Sequence, residues 1–167
     1  REFDIRSSNY DEAKHFFLAH YFRDVFEQAY QNNPTSPNNG FKITRVEAYI
    51  TNSNTQTENL RNILALADLG EARVLNNPNA ITSTNPNAVP SNEANDLYSD
   101  LMGDPAFRDP DQTVSELQGR GLRLGTDFEK INSARLLEAE RDYNFHADLG
   151  YLSLNRRLQD DEALAIA

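Results

Sequence analysis

The segment from 9 to 33, NYDEAKHFFLAHYFRDVFEQAYQNN, constrains the fold more than any other part of the sequence. Its apolar residues recur at the spacing that keeps one stripe on a helix of about 3.6 residues per turn. The stripe comprises Ala13, Phe16, Phe17, Tyr21, Val25, Phe26 and Ala29. Asn9 or Asp11 can cap the start, and the run Asn32–Pro34 ends the helix. Seven aromatic residues lie in the segment, and so many rings need a broad surface, most simply one face of a β-sheet.

Several stretches predict the strands of that sheet. FKITRVEAYITN alternates apolar and polar residues, with Val46, Ala48 and Ile50 on one side. The apolar run Ile63–Leu69 fits either a short helix or a strand buried on both faces, and Gly70 directly after it favours the strand. YNFHADLGYLSLN and EALAIA predict two strands, separated by a turn at Asn155–Asp161.

Short helices and a long loop complete the prediction. SNEANDLYSDLMGD indicates a helix capped by Ser91 or Asn92 and ended by Gly103. A helical turn is expected near Val114, and TDFEKINSARLLE is expected to begin a further helix. The segment 75–92 is built largely from Asn, Pro, Ser and Thr, which cannot bury enough apolar surface to offset the entropy of ordering, so a surface loop is predicted.

Together these elements predict an α+β fold, because strands do not alternate regularly with long helices. The sheet is expected to be covered by one long aromatic-rich helix and one or two short helices, with long Asn/Pro-rich loops. The 167 residues are predicted to form a single soluble domain, 1–167. The start at Arg1 and the strand-like end at Ala167 suggest a domain excised from a much larger protein. The predicted core comprises Phe16, Phe17, Val25 and Phe26 on the helix, with Val46, Ile50, Leu64, Leu66 and Leu152 opposite.

Composition excludes several classes of function. The formal net charge of −10 disfavours nucleic acid as a partner, because neutralising phosphates requires a basic surface. The chain has no cysteine, which excludes disulfides, thiolate metal sites and a cysteine nucleophile. No Gly-rich phosphate loop, nucleophile elbow or dinucleotide-binding fingerprint is present.

The candidate metal ligands carry weak signals. His15 and His20 are five residues apart, about 140° around a helix, whereas a two-histidine metal motif needs a spacing of four. His146, near Asp148, is predicted to be a strand residue that faces solvent. Asp109–Glu116 places oxygen ligands at alternate positions, as a calcium loop does, but lacks the central glycine and the distal glutamate.

The acidic run Asp160–Glu162 follows Arg156 and Arg157 closely. It suggests either a cation site or a carboxylate pair for acid–base catalysis, against the simpler interpretation of a solvated turn with partly neutralised charges. The turn is favoured, because two catalytic carboxylates need fixed opposite positions. The sequence therefore predicts a protein that is not an enzyme, with no catalytic, cofactor-binding or metal-binding residue and no cofactor.

Three stretches, in order, resemble one family: YDEAKHFFLAHYFRDVFEQA, then ITRVEAYITN with RNILALADLGE, and ARLLEAERDYNFHADLGYLSLNRRLQDDEALAIA. They are similar to the repeated N-terminal-type domain of the SprA/Sov family, the giant outer-membrane proteins of the type 9 secretion system and gliding motility in Bacteroidetes. The resemblance covers nearly the whole chain except the loop 76–92.

The resemblance implies a non-enzymatic structural or protein-interaction domain of a β-barrel translocon that exports surface and secreted proteins. The expected partners are the rest of the translocon chain, other secretion-system proteins and secreted cargo. The expected location is at the outer membrane, on the periplasmic or cell-surface side, with membrane contact only through the parent barrel. Two alternatives are a carbohydrate-binding cell-surface module, suggested by seven tyrosines and Asn-rich loops, and an enzyme using Asp160–Glu162 with His146.

Overall fold

The computed structural model describes residues 10–51, 60–67, 90–91 and 96–167. Apart from 90 and 91, the predicted loop 75–92 lies outside the described residues. In chain order the elements are β1 (His15–Phe17), α1 (His20–Asn32), β2 (Ala48–Ile50), β3 (Leu60–Leu66), α2 (Leu97–Gly103), α3 (Pro110–Gly119), β4 (Phe128–Leu136), β5 (Tyr143–His146), β6 (Tyr151–Leu154) and β7 (Leu164–Ile166), with a 3₁₀ turn at Pro105–Arg108. This mixture of sheets and short helices confirms the α+β class.

The described strands form two antiparallel sheets. The smaller has three strands in the order β1-β6-β5, and the larger has four in the order β3-β4-β2-β7. A core cluster joins them, because Leu152 and Tyr143 of the smaller sheet pack with Ala48 and Ile50 of β2. Strand β2 is buried at all three positions, since Tyr49 points to a second cluster around Ile131 on its other face. A third cluster, around Leu117 and Phe128, packs α2 and α3 against the far end of the larger sheet.

The long aromatic helix is not confirmed, because His15–Phe17 form a short strand and the helix covers only His20–Asn32. Phe16 faces the core between His15 and Phe17, which point outward, so the stretch follows the strand period of two. Ala19 has extended backbone angles, and the helix begins only at His20. The buried residues of α1 are Phe22 and Ala29. Phe17 lies on β1 and is exposed, so placing it in the core was wrong.

The helix expected from TDFEKINSARLLE is also wrong, because this stretch is β4. Its buried residues Phe128, Ile131 and Ala134 are spaced by three, which imitates a helix. Phe128 and Ile131 lie on opposite faces of the strand, in different core clusters. Ala134 returns to the face of Ile131 because of a bulge opposite Arg61–Ile63, where Ser133 adopts a positive φ of 56° and donates its N–H to the Asn62 side chain. The pattern of burial therefore arises from an irregular strand.

The remaining predicted elements agree in part. Strand β3 is confirmed up to Leu66, and the strand at EALAIA is confirmed. Helix α2 is confirmed with its end at Gly103, but it begins at Leu97 after Asp96, so a cap at Ser91 or Asn92 was wrong. YNFHADLGYLSLN was predicted as one strand, but it folds into the hairpin β5–β6, which turns at 147–150. The helical turn expected near Val114 extends into the ten-residue α3. Within the described residues, no helix combines the length and the apolar character that crossing a membrane requires.

Candidate functional site

The outer face of the three-stranded sheet carries the strongest candidate for a functional surface. Residues paired across antiparallel strands point to the same side, and successive residues point to opposite sides. The row Phe16, Leu152 and Phe145 therefore faces the core. Two rows face outward: Phe17, Tyr151 and His146, and beside it His15, Ser153 and Asn144.

Five rings form a continuous aromatic patch at one end of this face. The patch, as we define it, comprises Phe17, Phe26, Tyr30, His146 and Tyr151. The Tyr151 ring stacks on His146 with centroids 4.2 Å apart and meets Phe17 edge-on at 6.1 Å. Phe26 of α1 lies 5.3 Å from Phe17 and 5.0 Å from Tyr30. Edge-to-face and stacked pairs at these distances stabilise one another, so the rings form an ordered group.

The patch is open to solvent at its margins. Phe17 is 39% exposed and Tyr30 is 40% exposed, and His146 is also exposed. Rings held in place by their neighbours lose little conformational entropy when a partner covers them, which favours binding through such a surface. The patch can thus bury apolar rings against a protein segment or stack against the apolar face of another flat ligand.

The tyrosine at the centre of the patch keeps its proton. Burial raises the pKa of Tyr151 above its usual value, and the nearby Tyr30 raises it further. The Tyr151 hydroxyl group is therefore neutral at physiological pH, where it can donate or accept a hydrogen bond.

A polar row lies next to the patch on the same face. His15 Nδ1 and Ser153 Oγ are 2.8 Å apart, and His15 Nε2 lies 3.7 Å from an Asp11 carboxylate oxygen. A serine, histidine and aspartate in this order invite comparison with a catalytic triad. However, the Asp11 contact exceeds hydrogen-bond length and both Asp11 and His15 are exposed, so Asp11 does not fix the orientation of the imidazole. The row is better suited to hydrogen bonding with a partner.

The histidines that were considered as metal ligands lie apart. His15 lies on β1 and His20 is the first residue of α1, so the two do not share a helix. His146 is an exposed strand residue, as predicted. Among the described residues, no three His, Asp or Glu side chains come close enough to hold a metal ion.

The segment Asp109–Glu116 is largely helical and does not form a calcium-type loop. Asp109 caps α3, with its carboxylate accepting the N–H of Asp111 at 2.9 Å. Asp111 pairs with Lys130 of β4. These carboxylates therefore have structural partners in the helix and the neighbouring strand.

The acidic run Asp160–Glu162 divides into two parts. Asp160 and Asp161 are exposed in the turn, in keeping with the simpler interpretation. Glu162 is buried and accepts two hydrogen bonds from Arg156, at 2.6 and 2.7 Å, so a solvated turn was wrong for this residue. His146 pairs with Tyr151 at one end of the β5–β6 hairpin, whereas Arg156 follows Leu154 at the other end. The two ends are three residues apart along the strand, which corresponds to on the order of 10 Å. The structure does not assemble these groups into one site.

Sequence reasoning missed the outer face because the segment was assigned to a helix. On a helix, Phe16 and Phe17 would have belonged to one stripe, whereas on β1 they point to opposite sides. The available signal was the alternation in GYLSL, where Leu152 and Leu154 alternate with Tyr151 and Ser153, whereas KHFFL does not alternate.

Comparison with known proteins does not identify a function for the outer face. No family model matches the chain, and no curated protein matches it. The interpretation of the outer face therefore depends on its own geometry.

Proposed function

We propose that this chain is a non-enzymatic protein-interaction domain of an outer-membrane secretion translocon of the SprA/Sov type. The aromatic patch on the outer face of the three-stranded sheet is the observation that carries the interaction role. The translocon assignment depends on the sequence resemblance. In this proposal the domain lies at the outer membrane, and its partners are translocon components or exported cargo.

The segments that carry the resemblance meet in the fold. Strand β1 and helix α1 come from the first stretch, and β5 and β6 come from the third, so the outer face is built from these two. The four-stranded sheet combines β2 and β3 of the second stretch with β4 and β7. All three stretches thus contribute to one arrangement, which supports treating them as one domain type.

Aromatic rings are enriched at protein interfaces, where they bury a large area at low entropic cost. The patch presents two partly exposed rings, Phe17 and Tyr30, around the more buried Phe26 and Tyr151. Hydrogen-bonding side chains such as His15 border it. An apolar centre with a polar border is the usual composition of an interface between proteins.

The test is a double variant, Phe17→Thr with Tyr30→Gln, introduced into the parent translocon protein. Both changes remove exposed rings from the patch. Threonine is favourable in a strand and glutamine in a helix, so the secondary structure and the core stay intact. We expect export of cargo to the cell surface to fall severalfold while the parent protein still inserts in the outer membrane.

Met102→Gln is the matched control, because Met102 is an exposed apolar residue on α2, away from the patch. It should leave export unchanged. Normal export by the double variant, with the parent protein inserted, would rule out the proposal.

A second candidate function is carbohydrate binding, favoured by rings and hydrogen-bonding groups on one sheet face. Sugars stack their apolar faces on aromatic rings, and His15, Asn144 and Ser153 lie beside the patch to bind hydroxyl groups. A glycan array probed with the 167-residue chain tests it. Binding that is lost in the Phe17→Thr variant would favour this candidate over a protein partner, and an array without a hit would dismiss it.

A further inference from the structure

Three arginines surround an apolar floor where the two sheets meet, remote from the aromatic patch. The cavity measures about 230 Å³. Its floor comprises Ile50, Leu137 and Leu154, and its walls comprise Arg135, Arg141 and Arg156 together with Asp142 and Asn155. The floor residues come from both sheets, so the fold itself positions the cavity.

Arg135 has hydrogen-bond donors without an acceptor among the described residues. Its side chain is only 18% exposed, yet among those residues its one hydrogen bond runs from Nη1 to Asp142 Oδ2, at 3.1 Å. A guanidinium group carries five N–H donors in a planar fork. Four donors thus lack an acceptor in the described part of the chain, and Arg135 lines the cavity.

Arg141 and Arg156 differ in exposure and in their partners. Arg141 is 62% exposed and contacts Glu138 at 2.8 Å and Asp142 at 3.8 Å, and surface pairs of this kind contribute little to stability. Arg156 is less exposed and donates two hydrogen bonds to buried Glu162. An anion in the cavity can therefore be bound by Arg135 from below and by Arg141 from the rim.

Asp142 limits the charge that the cavity accepts. Burial tends to raise its pKa, but the N–H of Glu138 and the charge of Arg135 outweigh burial and hold the pKa below its usual value. Asp142 is therefore ionised at neutral pH. Its negative charge beside the cavity disfavours a dianion such as phosphate more strongly than a monoanion.

We propose that this cavity binds a small monocarboxylate with an apolar body of a few carbon atoms. The carboxylate accepts hydrogen bonds from Arg135 and Arg141, since the guanidinium fork matches its geometry. The body covers Ile50, Leu137 and Leu154. The volume lies below the roughly 300–1,000 Å³ of drug-sized pockets, so the ligand is short. This site is independent of the aromatic patch and of the proposed interaction role.

Titration of the 167-residue chain with butyrate, followed by calorimetry and amide NMR shifts, tests the proposal. We expect a Kd on the order of 1 mM, with shifts centred on the cavity and weaker binding at high salt. Butyramide has the same shape without the charge, and inorganic phosphate has charge without the body. Both should bind at least about tenfold more weakly.

Arg141→Ala should weaken butyrate binding about tenfold and leave folding intact, because the side chain is exposed. Arg135→Lys keeps the charge opposite Asp142 but loses the fork, so it should also weaken binding. Arg23→Ala, an exposed arginine on α1 paired with Asp24, is the control and should bind as the unaltered chain does. The proposal fails if butyrate gives no signal up to about 50 mM. It also fails if butyramide or phosphate binds equally well, or if Arg141→Ala binds normally.

Discussion

The ring of Phe22, on the first helix, lies directly against Gly150 in the turn of the β5–β6 hairpin. A Cβ atom on residue 150 would overlap the ring, and Gly150 has a positive φ of 65°. The backbone of the turn is tied to the segment before the helix as well, since Leu18 donates its N–H to the Gly150 carbonyl at 2.9 Å. This contact fixes where α1 sits, and thereby which rings of the helix join the aromatic patch.

Gly150→Ala should lower the free energy of unfolding by about 2–4 kcal/mol, from overpacking and from the cost of a side chain at positive φ. Urea denaturation measures this. Gly40→Ala is the matched control, because Gly40 also has a positive φ, 87°, but has open space where a Cβ would lie. It should lose only about 1–2 kcal/mol. Equal losses for the two variants would mean that the Phe22 contact contributes nothing.

Phe22→Ala should destabilise the fold far more than Phe17→Ala. Phe22 is almost fully buried, so removing its ring is expected to cost about 3–5 kcal/mol. Phe17 lies at the margin of the patch, and its loss should cost about 1–2 kcal/mol, because part of the ring is already in water. Denaturation midpoints of both variants decide the ranking, and a larger loss for Phe17 would contradict the burial described here.

The sequence predicted the class of the fold and several elements, but not the outer face. Strand β3 and helix α2 follow from a short apolar run and from apolar residues at helical spacing, which are local signals. The strand at β4 could not be recognised, because its bulge at Ser133 depends on Asn62 of a neighbouring strand. The end of β1 at Phe17 likewise depends on pairing with Tyr151, far along the chain.

Among the candidate site residues, too, some features were predicted from the sequence and others were missed. Exposure of His146 on a strand was predicted correctly, from its isolation from other candidate ligands. Burial of Glu162 was missed, because its partner Arg156 lies six residues earlier and only the turn between them brings the pair together. The conformation of this turn, which composition and spacing do not specify, therefore decides that the pair is buried.

Acid should weaken the fold partly through Asp142. The folded-state pKa of this carboxyl group is lowered, so in the unfolded chain it binds a proton first as the pH falls. Its contribution to stability is complete above its unfolded pKa of about 4 and is lost progressively below it. We expect the loss of unfolding free energy between pH 7 and about pH 3 to be smaller in Asp142→Asn than in the unaltered chain.

Asp160→Asn is the control for that experiment. Asp160 is fully exposed, and its pair with exposed Arg157, at 3.6 Å, is of the surface kind that contributes little to stability. Its acid sensitivity should match that of the unaltered chain. The same acid sensitivity in Asp142→Asn would show that the contacts of Asp142 with Arg135 and the Glu138 N–H do not stabilise the folded state.

Glu162→Ala should destabilise the chain by about 1–3 kcal/mol. The variant removes the acceptor of two Arg156 hydrogen bonds and of the Gln159 N–H, at 2.9 Å. The loss stays below that of a fully buried pair, because Arg156 is about half exposed and its charge can be hydrated. Asp161→Ala, one residue earlier in the exposed part of the turn, should change stability by less than about 0.5 kcal/mol. Chemical denaturation of both variants tests the difference. Equal stability of the Glu162→Ala and Asp161→Ala variants would show that the Arg156–Glu162 pair does not stabilise the fold.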